Sequence, residues 1–132
     1  MRNIQENKLL FFDIETCGSY ANIEELEDKN VVLFNLWNKM GDSYFRRHYP
    51  EDERMSEGEL FKKYAGLLPE FGRIVCVSAG FITGKERKIQ SFTKGGEEEI
   101  LKETVKLLNR VHKLDFSLCG HNIKTFDLPY LG

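Results

Sequence analysis

The longest apolar run in the chain, residues 74–82, is already interrupted by Ser78 and Gly80. A membrane helix needs roughly 18 or more consecutive apolar residues. The run therefore predicts a buried strand, residues 73–82, and a protein with no membrane partner. Residues 8–15, KLLFFDIE, have the same character: short, apolar, then abruptly acidic. Residues 87–93 alternate about Ile89 behind the turn 83–86, which predicts a hairpin with the preceding strand. Residues 116–120 predict a fourth, short strand.

Helical patterns fill the remainder. Ile23, Leu26, Val31, Phe34, Trp37 and Met40 recur every three to four residues, predicting helix over 22–48 with a break near Gly41. Ser56 and Glu59 form an S-x-x-E capping box opening a helix to about Leu67. Ile100, Leu101, Val105, Leu108 and Val111 mark an amphipathic helix to about Lys113, with Glu97, Glu98 and Glu99 at its positive end. Thr125 as a cap and Pro129 in the first turn predict a last helix start. The order is strand, helical insert, strand, strand, helix, strand, helix start. With 132 residues, 41% of them hydrophobic, the chain predicts a single α/β domain over 1–132. The insert, about 22–68, is expected to pack as helices anchored by Phe34, Trp37, Phe45 and Phe61 rather than to stand as a separate domain.

Charge and cysteine usage narrow the function classes. Nineteen Lys+Arg against 21 Asp+Glu leave a net charge of −2, which argues against non-specific adhesion to phosphate backbones or acidic membranes. It leaves room for an enzyme that meets nucleic acid through metal ions. Cys17, Cys76 and Cys119 make no CxxC pair and no zinc spacing, and read as small buried hydrophobes in a reduced compartment. Residues 1–8 are too polar for a secretion signal, so the expected location is cytoplasmic.

Two constellations carry chemistry. Asp13 and Glu15 stand two apart at the end of a strand, so both carboxylates face one way, ~6–7 Å apart along the backbone. Two like charges beside an apolar strand repel, and a divalent cation relieves that, since hard cations take carboxylate oxygens. The simpler account is a strand end meeting solvent. The second constellation, residues 121–127 (HNIKTFD), directly follows a strand, where polar side chains line a crevice in an open α/β sheet. Taken singly, Asp127 also reads as a first-turn acid, Asn122 as a turn residue and His121 as a structural histidine.

Taken together, the two resemble a known pair. Residues 11–16, FFDIET, resemble the first motif of the ribonuclease H-like, DEDD-type 3′–5′ exonucleases, and residues 119–129, CGHNIKTFDLP, resemble the second. The N-x-x-x-F-D form is most similar to the exonuclease domains of family B DNA polymerases and their stand-alone relatives, and residues 70–78 fit that group's second strand. The resemblance implies a ribonuclease H-like mixed sheet with flanking helices, incomplete at its C-terminus, with a helical insert after the first strand. It implies a two-metal site for Mg²⁺ or Mn²⁺, with Asp13 bridging both ions, Glu15 on one and Asp127 near the other. It also implies substrate contacts from Asn122, from the backbone at Thr16, and from Phe126 by stacking or packing.

The implied activity is hydrolysis of phosphodiester bonds from the 3′ end of single-stranded DNA, with RNA left open as the alternative substrate. The family's third motif supplies a fourth carboxylate and a Tyr or His four positions before it. No Asp or Glu follows Asp127 here, and His48-x-x-x-Asp52 precedes the second motif and contains Pro50. The expectation is a truncated, impaired exonuclease that self-associates through an unfinished edge near Leu118 and Leu131. The alternative is a catalytically inactive module that binds nucleic acid or protein.

Overall fold

The structure, a computed structural model, describes residues 5–132. In chain order its main elements are β1 (Leu9–Gly18), α1 (Ile23–Lys29), α2 (Val31–Leu36), α3 (Asp42–His48), α4 (Glu57–Tyr64), β2 (Gly72–Thr83), β3 (Glu86–Phe92), α5 (Gly96–Lys113), β4 (Ser117–Cys119) and α6 (Asp127–Leu131). The strands form one mixed sheet in the order β3-β2-β1-β4, with β1 and β4 parallel and β2 and β3 antiparallel. This is an α/β fold with helices flanking the sheet and a helical insert after the first strand. No helix among the described residues is long and apolar enough to cross a membrane. The chain divides into two compact units, one of the residues up to Glu15 with Ile74–Gly132, the other of Thr16–Arg73.

The sheet unit is organised by the alternation of β1. Leu10, Phe12 and Ile14 point into a core shared with Ile74, Val77 and Ala79 of β2, Ile100 and Val111 of α5, and Ile123 and Tyr130. Phe11, Asp13 and Glu15 point the other way and are exposed. A strand buried on one face only is what period-two patterning means physically. α5 presents Ile100, Thr104 and Val111 as its buried residues, and the Thr104 hydroxyl is satisfied by donating to the Ile100 carbonyl at 2.7 Å. The Glu97 carboxylate accepts the Ile74 N–H at 2.9 Å, so this first-turn acid also anchors the start of β2.

The helical unit is built around Trp37, which has no exposed surface. Its ring lies 5.0 Å from Phe61, 5.3 Å from Phe71 and 5.9 Å from Phe45 between centroids. The 22–48 stretch is helical, but its break falls at Asn30 instead of Gly41. The Asn22 side chain caps α1 by accepting from Glu25 N–H, and the Asn30 side chain caps α2 by accepting from Leu33 N–H. Asparagine competes for backbone groups in this way and so restarts helices. Gly41 closes a π-helical turn, Trp37–Gly41, and a Cβ there would sit 2.5 Å from the Trp37 ring. The glycine makes room for the indole and does not end the helix. The Ser56–Glu59 capping box is formed in both directions at the start of α4. Asp52 is buried and accepts hydrogen bonds from Lys63 Nζ at 2.7 Å and from the Tyr64 hydroxyl.

Candidate active site

β4 pairs with β1 through Leu9↔Ser117, Leu10↔Leu118 and Phe11↔Cys119, and then ends. Beyond Phe11 the edge of β1 loses its partner strand. Gly120 lets the chain turn away there, because a Cβ at this position would lie 2.5 Å from the Phe12 carbonyl oxygen. No side chain fits that approach. The chain then makes a turn at residues 121–126, in which Asn122 takes φ +52°, a left-handed conformation that asparagine tolerates better than most residues. The Thr125 hydroxyl and the Phe126 N–H both donate to the Asn122 carbonyl. α6 therefore starts from Phe126 with no side-chain cap, and the capping role expected of Thr125 is replaced by closure of the turn.

Asp127 is the first residue of α6 and is 2% exposed. Its Oδ2 accepts the Ile14 N–H at 2.9 Å across 113 residues of sequence. This bond takes up a β1 edge amide past the end of β4. It satisfies a donor that burial would otherwise leave unpaired. Ile14 is flanked in the chain by Asp13 and Glu15, so Asp127 is tied to the backbone between those two acids. The arrangement is not a closed cage: Asp13 and Glu15 stand exposed on the sheet face, and Asp127 is buried at the strand's edge. Among the described residues no three His, Cys, Asp or Glu side chains are grouped tightly enough to enclose an ion.

Beside Asp13 lies an open depression of about 240 Å³, lined by Phe11, Ser78, Gly80, Ile89, Cys119 and Gly120 among others. Its walls are mostly apolar and backbone, a surface suited to a flat ring more than to a charged group. Asn122 is exposed, its Nδ2 3.1 Å from His121 Nε2. Phe126 packs on the sheet core, its ring 5.5 Å from Tyr130. Thr16 belongs to the helical unit, where its hydroxyl donates to the Gly66 carbonyl at 2.7 Å.

The Asp127–Ile14 bond joins segments 113 residues apart and leaves no periodic signal in the sequence. Gly120, which the sequence pattern assigns to the fourth strand, stands just past its end, a residue type that marks close backbone approach. A scan against protein-family models matched none, and searches of curated proteins and of solved structures also found no match.

Proposed function

We propose that the sheet unit is a ribonuclease H-like 3′–5′ exonuclease domain acting on single-stranded nucleic acid, with Asp13, Glu15 and Asp127 as its acidic centre. The observation that carries this reading is the Asp127–Ile14 hydrogen bond, which ties the acid after the fourth strand to the acidic end of the first. Motif order and the mixed sheet agree with it. The donor set is oxygen only, as Mg²⁺ and Mn²⁺ require. Asp127 Oδ1 has no hydrogen-bond partner among the described residues and keeps its lone pairs. A bound divalent ion would supply charge stabilisation for the scissile phosphate.

The chain's own residues do the rest. Asp13 and Glu15 present carboxylates on the open face, Asp127 fixes the register of the turn carrying Asn122, and the depression beside Asp13 receives the terminal nucleotide. The described acids form no closed cage, so metal occupancy is weak and turnover slow.

The test is a labelled single-stranded DNA oligonucleotide with Mn²⁺, run beside an RNA of the same sequence. Slow release of 3′ nucleotides, abolished by Asp13→Ala, is expected. Strand binding without any cleavage would replace this reading with that of a binding module.

A further inference from the structure

β3 is an edge of the sheet, and every residue from Glu86 to Ser91 is exposed. Ile89 is 79% exposed, an unusual position for a β-branched apolar side chain in mid-strand. The register with β2 is uninterrupted, from Thr83↔Glu86 to Val77↔Phe92. Gly84 takes φ +60° at the first position of the two-residue turn, as a type II′ hairpin requires. Such a turn closes on a pair that exchanges both backbone bonds, and such pairs then alternate along the ladder. Glu86, Lys88, Gln90 and Phe92 therefore spend their amides on β2. Arg87, Ile89 and Ser91 direct theirs outward, and no other backbone group among the described residues takes them.

We infer that a second copy of this chain pairs along β3, antiparallel, about a two-fold axis at Ile89. The choice of register rests on chemistry. Centred on Ile89, the outward residues match each other: Ile89 meets Ile89 of the second copy, and Arg87 meets Ser91 in both directions. All three pairs can exchange both backbone bonds. Between them Lys88 meets Gln90, and Glu86 meets Phe92. No charge directly faces a like charge, although Arg87 and Lys88 are the residues that ordinarily keep an edge from pairing. Moving the axis to Lys88 would oppose two lysines and turn the wrong backbone groups together. The pairing also covers Ile89, which lines the same surface depression as Phe11.

The experiment is sedimentation of the full chain over a concentration series, combined with hydrogen exchange. A dimer is expected, in which the amides of Arg87, Ile89 and Ser91 gain protection with concentration while those of Lys88 and Gln90 are protected throughout. Ile89→Pro removes only an outward N–H, a position where an edge strand accepts proline. It should leave the far-ultraviolet circular dichroism unchanged and the chain monomeric. Ile89→Lys, which places two cations face to face, should do the same by another route. A chain monomeric at every concentration, or a dimer that survives Ile89→Pro in a folded chain, overturns the inference.

Discussion

Trp37 in the helical unit has no exposed surface, whereas Phe11 on the sheet is 41% exposed beside the carboxylates of Asp13 and Glu15. The helical unit gathers its large rings inward: Phe45, Phe61 and Phe71 surround the indole, and Tyr64 stacks on Phe45 at 4.5 Å. The sheet unit buries one face of β1 and leaves the other to solvent. Aromatic packing in the first region supplies stability, and in the proposed reading an open acidic face in the second supplies chemistry. Residues of the first region should therefore matter to folding and little to any reaction, and exposed acids of the second should do the reverse.

The largest effect belongs to Trp37. Truncating a fully buried aromatic typically costs about 3–5 kcal/mol. Trp37→Ala should lower stability by that order in urea denaturation. Trp37→Phe should cost less, because the indole N–H has no partner among the described residues to lose. Gly41→Ala, which drives a methyl into the same ring, should cost about 1–3 kcal/mol by overpacking. A neutral Gly41→Ala would show that the π-helical turn is not held by the indole.

Asp127 stands between the two kinds of residue, being buried like a core residue and charged like a site residue. Asp127→Ala strands the Ile14 N–H and should cost about 1–3 kcal/mol. Asp127→Asn keeps a carbonyl acceptor for that N–H and should retain most of the stability. It removes the charge, so Mn²⁺-dependent cleavage should fall as far as in Asp13→Ala. If Asp127→Asn retains both stability and cleavage, Asp127 is a structural tie alone.

These residues also show what the sequence could and could not tell. The hairpin at residues 83–86, the Ser56–Glu59 box and the extent of α5 are legible, because each is set by neighbours within a few positions, whereas β1 reads as a wholly buried strand and leaves Phe11 41% exposed. The break in the 22–48 stretch lies at Asn30 and not at Gly41. Asn30 acts through its own side chain, whereas Gly41 responds to a ring four residues away, and propensity alone ranks glycine as the stronger breaker. Asp13, Glu15 and Asp127 were legible as candidates by residue type and spacing. The bond from Asp127 to Ile14, and the open face that carries Asp13, depend on contacts between distant segments and on which side the helices cover.

A smaller, pH-dependent effect separates the regions further. Hydrogen bonds from Lys63 and then Tyr64 hold the Asp52 carboxyl below its ordinary value of 3.8. A depressed acid contributes stability that is present above its ordinary value and lost as pH falls through the lowered one. Burial, and then the hydrogen bond to Asp52, pushes the Tyr64 hydroxyl above its usual 10.0. That contribution is present below the usual value and is lost as pH rises through the raised one. The helical unit should thus weaken at both extremes. Asp52→Asn should flatten the acid limb of a stability–pH curve measured by Trp37 fluorescence. An unchanged acid limb would mean that the Asp52 contacts do not persist in solution.

The smallest effect on stability, and the sharpest contrast with Trp37, is expected at Asp13. Its side chain is exposed and makes no hydrogen bond or ion pair among the described residues. Substitutions at such positions usually change stability by no more than about 0.5 kcal/mol. Asp13→Asn also removes one of two like charges on the same strand face, which offsets part of any loss. Without divalent ions its thermal midpoint should match that of the parent chain. Mn²⁺ should separate them, because an ion bound by the folded state alone stabilises it in proportion to the logarithm of one plus concentration over Kd. With no closed cage among the described residues, the rise for the parent chain should be small and appear only at high Mn²⁺, and Asp13→Asn should show none. Equal Mn²⁺ responses in the two chains would remove Asp13 from the metal site and leave the β1 acids as a solvated strand end.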